Sequence, residues 1–503
     1  MQFRLRREIV PRGAALFDPV TSALHPLDGV ERAIVGMLAD SMHAEDLIAA
    51  VERIHPLGRP AIERRLRQLM LLGLCEGCCD SFRDQLQRLR DGGESLPRVL
   101  EGSRFSCQNA GACCHGYLFG PIDAEEKRRI ESLDPRAALP QLDHGPLFIE
   151  TGAGAGGTRY RLATRGDACV FFEAGPRCGL HRAFGPAAKP SLCQLYPLAA
   201  IVTVEGLRIY DRGECASFAV SARSGPAIEA DLSRIRALVR RDLHHPVVTL
   251  HEAWRCDYGL VLRLSHRLER EAEGEPPLLA LHRMGHVVRA AIAAMAHCPF
   301  EAGQPEGALQ AVLNAPAQTL SPPESAVASN AQSGLRAVTI LAQALVERVA
   351  PQEALSSLFR EAALHLADGC SHASGVGLGS EHRAAATAIA MDPDCVHALR
   401  LSLRQTLFGR ELLLDDHLPA GLLRMAFAAL LTLAGARAFA LRDRRDRVSP
   451  KHFSAGHMTV MRTLRRPEPH ALLRANGEHA WSVLAALPLL ERELMGRDPR
   501  PRS

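Results

Sequence analysis

Several things are scarce in this sequence, and each shortage removes a class of protein. Neither sign of charge is in excess: 60 Lys and Arg stand against 56 Asp and Glu, a formal net charge of +4. So even a balance gives no reason to expect nucleic acid or a membrane surface as a partner. Long apolar runs are missing too. The longest, Met425 to Ala436, lies between Arg424 and Arg437 and falls short of the ~20 residues a spanning helix needs. The basic start Met1-Gln2-Phe3-Arg4-Leu5-Arg6-Arg7-Glu8 has no apolar stretch behind it and does not read as a secretory signal. A soluble, cytoplasmic protein is expected, in a compartment that keeps thiols reduced. Aromatics make up only 5% of the chain, yet of five tyrosines Tyr117, Tyr160, Tyr196 and Tyr210 share one stretch. No internal repeat is visible, nor the C-x3-C-x2-C triplet of a radical enzyme.

Cysteine, by contrast, is plentiful: 14 in all, seven of them between residues 107 and 215. These read Cys107-x5-Cys113-Cys114, Cys169-x8-Cys178, Cys193 within Lys189-Pro190-Ser191-Leu192-Cys193-Gln194-Leu195-Tyr196-Pro197, and Cys215. Such density means disulfides, metal ligands or a redox device. In a reducing compartment metal is the expectation.

Composition divides the chain, and the expected fold class is mainly α. Residues 1–95 predict a small α+β unit. Asp18-Pro19-Val20-Thr21 is a turn between two short apolar runs, followed by helices near 30–39, 45–54 and 60–74. That order resembles the winged-helix peptide-recognition modules found beside peptide-modifying enzymes. Residues 96–225 are rich in Gly, Pro and Cys with little helical periodicity, which predicts an irregular, metal-organised domain with few short strands. Residues 226–315 turn helical, with Ile228, Leu232, Ile235, Leu238 and Val239 on one face. Residues 316–334 read as a Pro/Ser/Ala-rich linker, and 335–503 as a helical C-terminal domain. Within it, Gly421–Leu441 is apolar all round, as a buried core helix is.

Thiolate is a soft ligand that selects zinc, copper(I) or iron–sulfur clusters. One tetrahedral zinc or one cubane takes four cysteines. Seven leave three over, enough to complete a second site with a histidine or to leave one cluster corner open. The adjacent Cys113 and Cys114 are not expected to serve one cluster together. His115, His181 and the more distant His144 are the nearby imidazoles, each more simply a hydrogen-bonded or surface side chain. Cys75, Cys78 and Cys79 end an apolar helix and read as structural or surface thiols, with an accessory metal site as the alternative. Cys256, Cys298, Cys370 and Cys395 are isolated and read as small buried hydrophobes. Asp368-Gly369-Cys370-Ser371-His372 pairs a Cys with a His, which is thin support for a catalytic dyad. Glu150-Thr151-Gly152-Ala153-Gly154-Ala155-Gly156 fits the E-x-G-x-G-x-G loop of Rossmann-type methyltransferases, but a strand-like alternation and a turn follow it instead of a helix, so it reads as a flexible glycine loop within the cysteine domain.

Four separated segments carry a family resemblance: Phe105-Ser106-Cys107 with Cys113-Cys114, Cys169-Val170-Phe171-Phe172, Cys178-Gly179-Leu180-His181, and Lys189-Pro190-x-x-Cys193-x-x-Tyr196-Pro197. Together they resemble the bacterial zinc- or iron-chelating cysteine-cluster family, to which the flagellin lysine-N-methylases belong. Cys215-Ala216-Ser217 is similar to an extra cysteine of the methylase members, and Leu403-Arg404-Gln405-Thr406-Leu407-Phe408 to their helical tail. Leu198 stands where those members often carry arginine.

The resemblance implies that Cys107, Cys113, Cys114, Cys169, Cys178, Cys193 and Cys215 hold an iron–sulfur cluster or zinc. It implies transfer of a methyl group from S-adenosylmethionine to a lysine of a protein or peptide substrate. Tyr196, with Tyr117 behind it, is the candidate for lining the lysine channel or accepting a proton. The alternative is a non-catalytic scaffold, stapled by metal, that binds a peptide or protein partner.

Overall fold

The computed structural model describes residues 2–93, 95–107, 111–116, 119–142, 144–154, 157–173, 178–239, 247–251, 254–274, 276–298, 300, 305–320, 324–349, 354–373, 389–413 and 417–494. Helix accounts for 61% and strand for 15%, the strands forming small two- and three-stranded sheets. The mainly α expectation holds.

The N-terminal unit follows its sequence signals closely. Strands Ala15–Asp18 and Ala23–Pro26 pair antiparallel across the predicted turn, where Asp18 accepts from the Val20 amide at 2.9 Å and the Thr21 hydroxyl at 2.8 Å. Helices Gly29–Met37, Ala44–Ile54 and Arg59–Leu71 follow. Asp28 and Glu31 form a capping box that satisfies two amides at the first helix start. Ile62, Leu66 and Leu69 face a core shared with Ile34, Leu47 and Val51.

The cysteine-rich stretch corrects one expectation. It builds an apolar core of its own, with Phe119, Ile122, Ile130, Leu147, Phe148, Leu162, Phe171 and Leu180 packed together. Strands Ile122–Asp123, Phe148–Gly154 and Gly157–Leu162 form one antiparallel sheet. Its apolar residues come from segments far apart in sequence, so no single window shows the periodicity. The glycine run forms a strand of this hairpin, with residues 155–156 outside the described set. Strand runs into strand, not into a helix, so this is not the glycine loop of a Rossmann-type methyltransferase.

A second sheet joins hairpin strands Leu198–Thr203 and Gly206–Asp211 to the parallel strand Pro97–Val99. All of Gly206–Asp211 is buried, because the helix Pro393–Phe408 packs against it.

The C-terminal half is a helical bundle around Leu418–Arg442. By length and composition that helix could cross a membrane, but 94% of its apolar window is buried within the fold. It packs against Pro450–Leu464, Ala354–Ala373 and Ala480–Leu494, so it is a core helix, as its composition predicts. The expected 316–334 linker is a second correction. It carries a short turn, Ala317–Leu320, and then the start of the long helix Glu324–Arg348. Ala331 is buried there, and a side chain at Gly334 would strike the Ser482 carbonyl. Packing against the last helix orders a stretch whose composition reads as loose.

Candidate metal centre

Five of the seven clustered cysteines, Cys113, Cys114, Cys169, Cys178 and Cys193, line one cavity of about 190 Å³. They arrive on four separate elements. Cys113 and Cys114 sit in a 3-10 turn entered through Gly111, whose φ of 69° is a conformation glycine adopts freely. Cys169 ends the short strand Ala168–Cys169. Cys178 opens the helix Gly179–Phe184, and the Gly179 amide bonds the Phe171 carbonyl at 2.7 Å. A Cβ at 179 would lie 3.0 Å from Leu139 and 3.2 Å from the Phe171 carbonyl, so glycine allows that approach. Cys193 lies in Ser191–Leu195. Glu126 fixes this turn by accepting from the Ser191 amide and hydroxyl, and Arg129 donates to the carbonyls of Ala187 at 2.9 Å and Lys189 at 3.0 Å.

Electrostatics divide the thiols. The Cys113 and Cys114 sulfurs are 4.0 Å apart. A hydrogen bond from its neighbour holds the Cys113 thiol below its usual range, helped by the charges of Lys189 and Arg462. The same bond, with burial, pushes Cys114 up. Burial pushes Cys169 up to about 12 and raises Cys178 and Cys193 as well, the latter strongly. Apolar walls of Phe119, Leu162, Phe171 and Leu180 account for that burial. A soft cation would reverse the balance by stabilising thiolates directly.

Cys107 and Cys215 stand elsewhere. The Cys215 sulfur is 2.8 Å from the Ser217 hydroxyl, and burial raises its thiol to about 11, with Asp211 and Cys107 adding further. Neither lines the cavity. Of the seven expected ligands, five line the cavity and two do not.

His115 turns its Nδ1 toward Asp167 at 3.4 Å and its ring edge onto Phe172, while His181 and His144 are exposed. Tyr117 lies outside the described residues. Tyr196 does line the cavity; its hydroxyl donates to the Glu214 carbonyl and accepts from Arg462 Nη2 at 2.9 Å. Cys75, Cys78 and Cys79 are buried. Cys256, Cys298, Cys370 and Cys395 are buried as well, and the His372 side chain is outside the described set.

No protein-family model matches the chain, and no curated protein or solved structure does so either.

The side chains that sequence reading missed come from far along the chain. Arg462, on Pro450–Leu464, donates to the carbonyls of Glu214 at 3.1 Å and His115 at 3.3 Å, besides the Tyr196 hydroxyl. One guanidinium thus ties together the segments that follow Cys114 and Cys193 and precede Cys215. Behind it, Arg465 pairs with Glu214 and bonds Glu411 twice, at 2.7 and 2.5 Å. Arg212 meets Glu214 at 3.0 Å and is 40% exposed at its side chain, and both line the cavity with Lys189. An arginine inside an apolar helix is the sole sequence signal, and it names no partner.

The donor set fits a thiolate-bound metal group in its chemistry. Its spacing discriminates further. Among the described residues, no three His, Cys, Asp or Glu side chains stand close enough to bond a single ion. Tetrahedral zinc holds its sulfurs roughly 3.8 Å apart. Cys113 and Cys114 meet that spacing, and no third donor joins them.

Proposed function

We propose that this cavity holds a polynuclear iron–sulfur group and that the protein transfers methyl groups from S-adenosylmethionine to a protein lysine. The observation that carries the metal reading is the gathering of five thiols round one cavity with Lys189 beside them. Thiols spread round a cavity suit a cluster, whose ligands sit on separate metal atoms, better than a lone ion. Cys169, Cys178 and Cys193, with one of the adjacent Cys113 and Cys114, make a set of four. The fifth thiol then stands beside the group.

The methyl-transfer reading rests on the resemblance of the four cysteine segments to the lysine-N-methylase family. The chemistry of this wall is compatible with it. A lysine attacks only as the neutral amine, and apolar surroundings favour that form. Phe119, Leu162, Phe171, Leu192 and Leu198 supply such surroundings. Arg212, paired with Glu214, adds a partly exposed positive charge to the cavity wall. Tyr196, whose hydroxyl donates to the Glu214 carbonyl and accepts from Arg462, positions the wall. When bound, S-adenosylmethionine supplies the electrophilic methyl group; the chain orients the amine against it, and orientation alone is worth several powers of ten in rate.

The test is saturable binding of S-adenosylmethionine to anaerobically prepared, iron-containing protein, with mass-spectrometric detection of methyl-lysine on a lysine-rich protein substrate. Binding lost in Cys178→Ser or Cys193→Ser supports the reading. Tight, colourless zinc with no cosubstrate binding supports instead a metal-stapled scaffold for a peptide partner.

A further inference from the structure

A second constellation lies outside the cysteine domain. His282 and His286 are four residues apart on the helix Pro277–Ala296 and therefore share one face. Their Nε2 atoms are 2.9 Å apart, and the rings meet edge to face at 89°. His282 Nδ1 lies 2.8 Å from the Leu484 carbonyl on the last helix. A carbonyl can only accept, so Nδ1 carries the proton and the Nε2 lone pair of His282 faces outward toward His286. This is the arrangement by which a backbone carbonyl orients a metal-binding imidazole. The two rings, with Asn330, Arg289 and Trp481, line a cavity of about 10 Å³ between the helices, about the size of one ion or water.

We propose that His282 and His286 form a chelating pair for a divalent transition-metal ion of the imidazole-preferring kind, nickel or copper, independent of the cysteine centre. The spacing supports this class. Imidazole nitrogens bond such ions at roughly 2.0–2.1 Å, which places two ligands roughly 2.9 Å apart at a right angle and roughly 3.4 Å apart in a tetrahedron. The observed 2.9 Å is a hydrogen bond that His286 Nε2 donates to His282 Nε2; with the His286 proton moved to Nδ1, the same separation is the right-angle spacing of tetragonal copper(II) or nickel(II). Asn330 lines the same space. Burial keeps His286 neutral, its imidazole lowered to about 4, with His282 and Arg289 adding to the effect. His282 is lowered by burial and by Arg283. Those two arginines oppose a bound cation, so the site is expected to hold its ion in the micromolar range.

Nickel(II) titration by equilibrium dialysis, on the full chain with its cysteine centre loaded, tests the proposal. One equivalent is expected to bind at least ten-fold more weakly in His282→Ala and in His286→Gln, and unchanged in the control His479→Ala. His286→Gln keeps a hydrogen-bond partner for His282 and guards against loss of fold. X-ray absorption of nickel bound to the unsubstituted chain provides a second reading. A shell with two imidazole nitrogens supports the site. A sulfur-only or water-only shell overturns it, as does unchanged affinity in both variants, and the pair is then a hydrogen bond within one helix that His282 Nδ1 ties to Leu484 on the last.

Discussion

Arg462 Nη2 donates to the Tyr196 hydroxyl at 2.9 Å, across 266 residues of chain. The same guanidinium reaches the carbonyls of Glu214 and His115. The cysteine domain is thereby fastened to the C-terminal bundle at the edge of its own cavity, by a side chain that is only 6% exposed.

Arg462→Ala should therefore loosen three segments at once. Hydrogen bonds to charged groups contribute about 1.5–3 kcal/mol each, and their loss leaves buried acceptors unpaired. A net loss of roughly 3 kcal/mol is expected by denaturant titration, together with reduced metal retention on dilution. Lysine at this position keeps the charge but not the fork of donors, and should recover less than half. A loss below ~0.5 kcal/mol would show that the clamp contributes little.

Asp257 gives a pH dependence of definite sign. Burial pushes its carboxyl up to about 7, while the Gly259 amide and Arg83 act the other way. Between the unfolded carboxylate value and pH 7 the folded chain keeps a proton that the unfolded chain has lost. Its contribution to stability therefore falls as pH rises through that window and levels off above it. Asp257→Asn keeps an oxygen to accept from the Gly259 amide, now bonded at 2.8 Å, and removes the titration. The variant should be more stable than the parent at pH 8 and nearly equal to it at pH 4, read from urea midpoints. A gap of the same size at both pH values would contradict the assignment. Asp211, also raised to about 7 by burial, leaves a residual slope in both proteins.

Gly213 tests how tightly the Cys215 segment meets the bundle. Its φ is +70°, and a Cβ there would fall 2.4 Å from His457 Nε2. That ring cannot swing away cheaply, since Ser402 holds Nε2 at 3.0 Å and Thr432 holds Nδ1 at 3.1 Å. Gly213→Ala should cost about 2–4 kcal/mol, from left-handed backbone strain and overpacking together. A thermal midpoint within a degree of the parent would mean the loop shifts freely.

Local signals were legible where local physics decides the outcome. The Asp18 turn and the all-apolar stretch Gly421–Leu441 each announce an element that exists. The cysteine spacing likewise pointed to residues that gather in space, though Cys107 and Cys215 stand apart from the five. What failed was anything decided at long range. The small core of Phe119, Phe148 and Phe171 is assembled from separated strands, so no window revealed it. Residues 324–334 read as linker because composition carries no trace of the helix that buries Ala331. Arg462 looked like any arginine, since its three acceptors lie hundreds of residues away.

The most direct test of a cluster in the five-thiol cavity is metal content with a visible spectrum, on anaerobically purified protein and its serine variants. The account predicts about four irons per chain and broad absorption near ~400 nm. Both should be lost in Cys169→Ser, Cys178→Ser and Cys193→Ser, and kept in Cys107→Ser and Cys215→Ser. Stoichiometric zinc without colour would contradict it, as would iron that depends equally on Cys107 and Cys215.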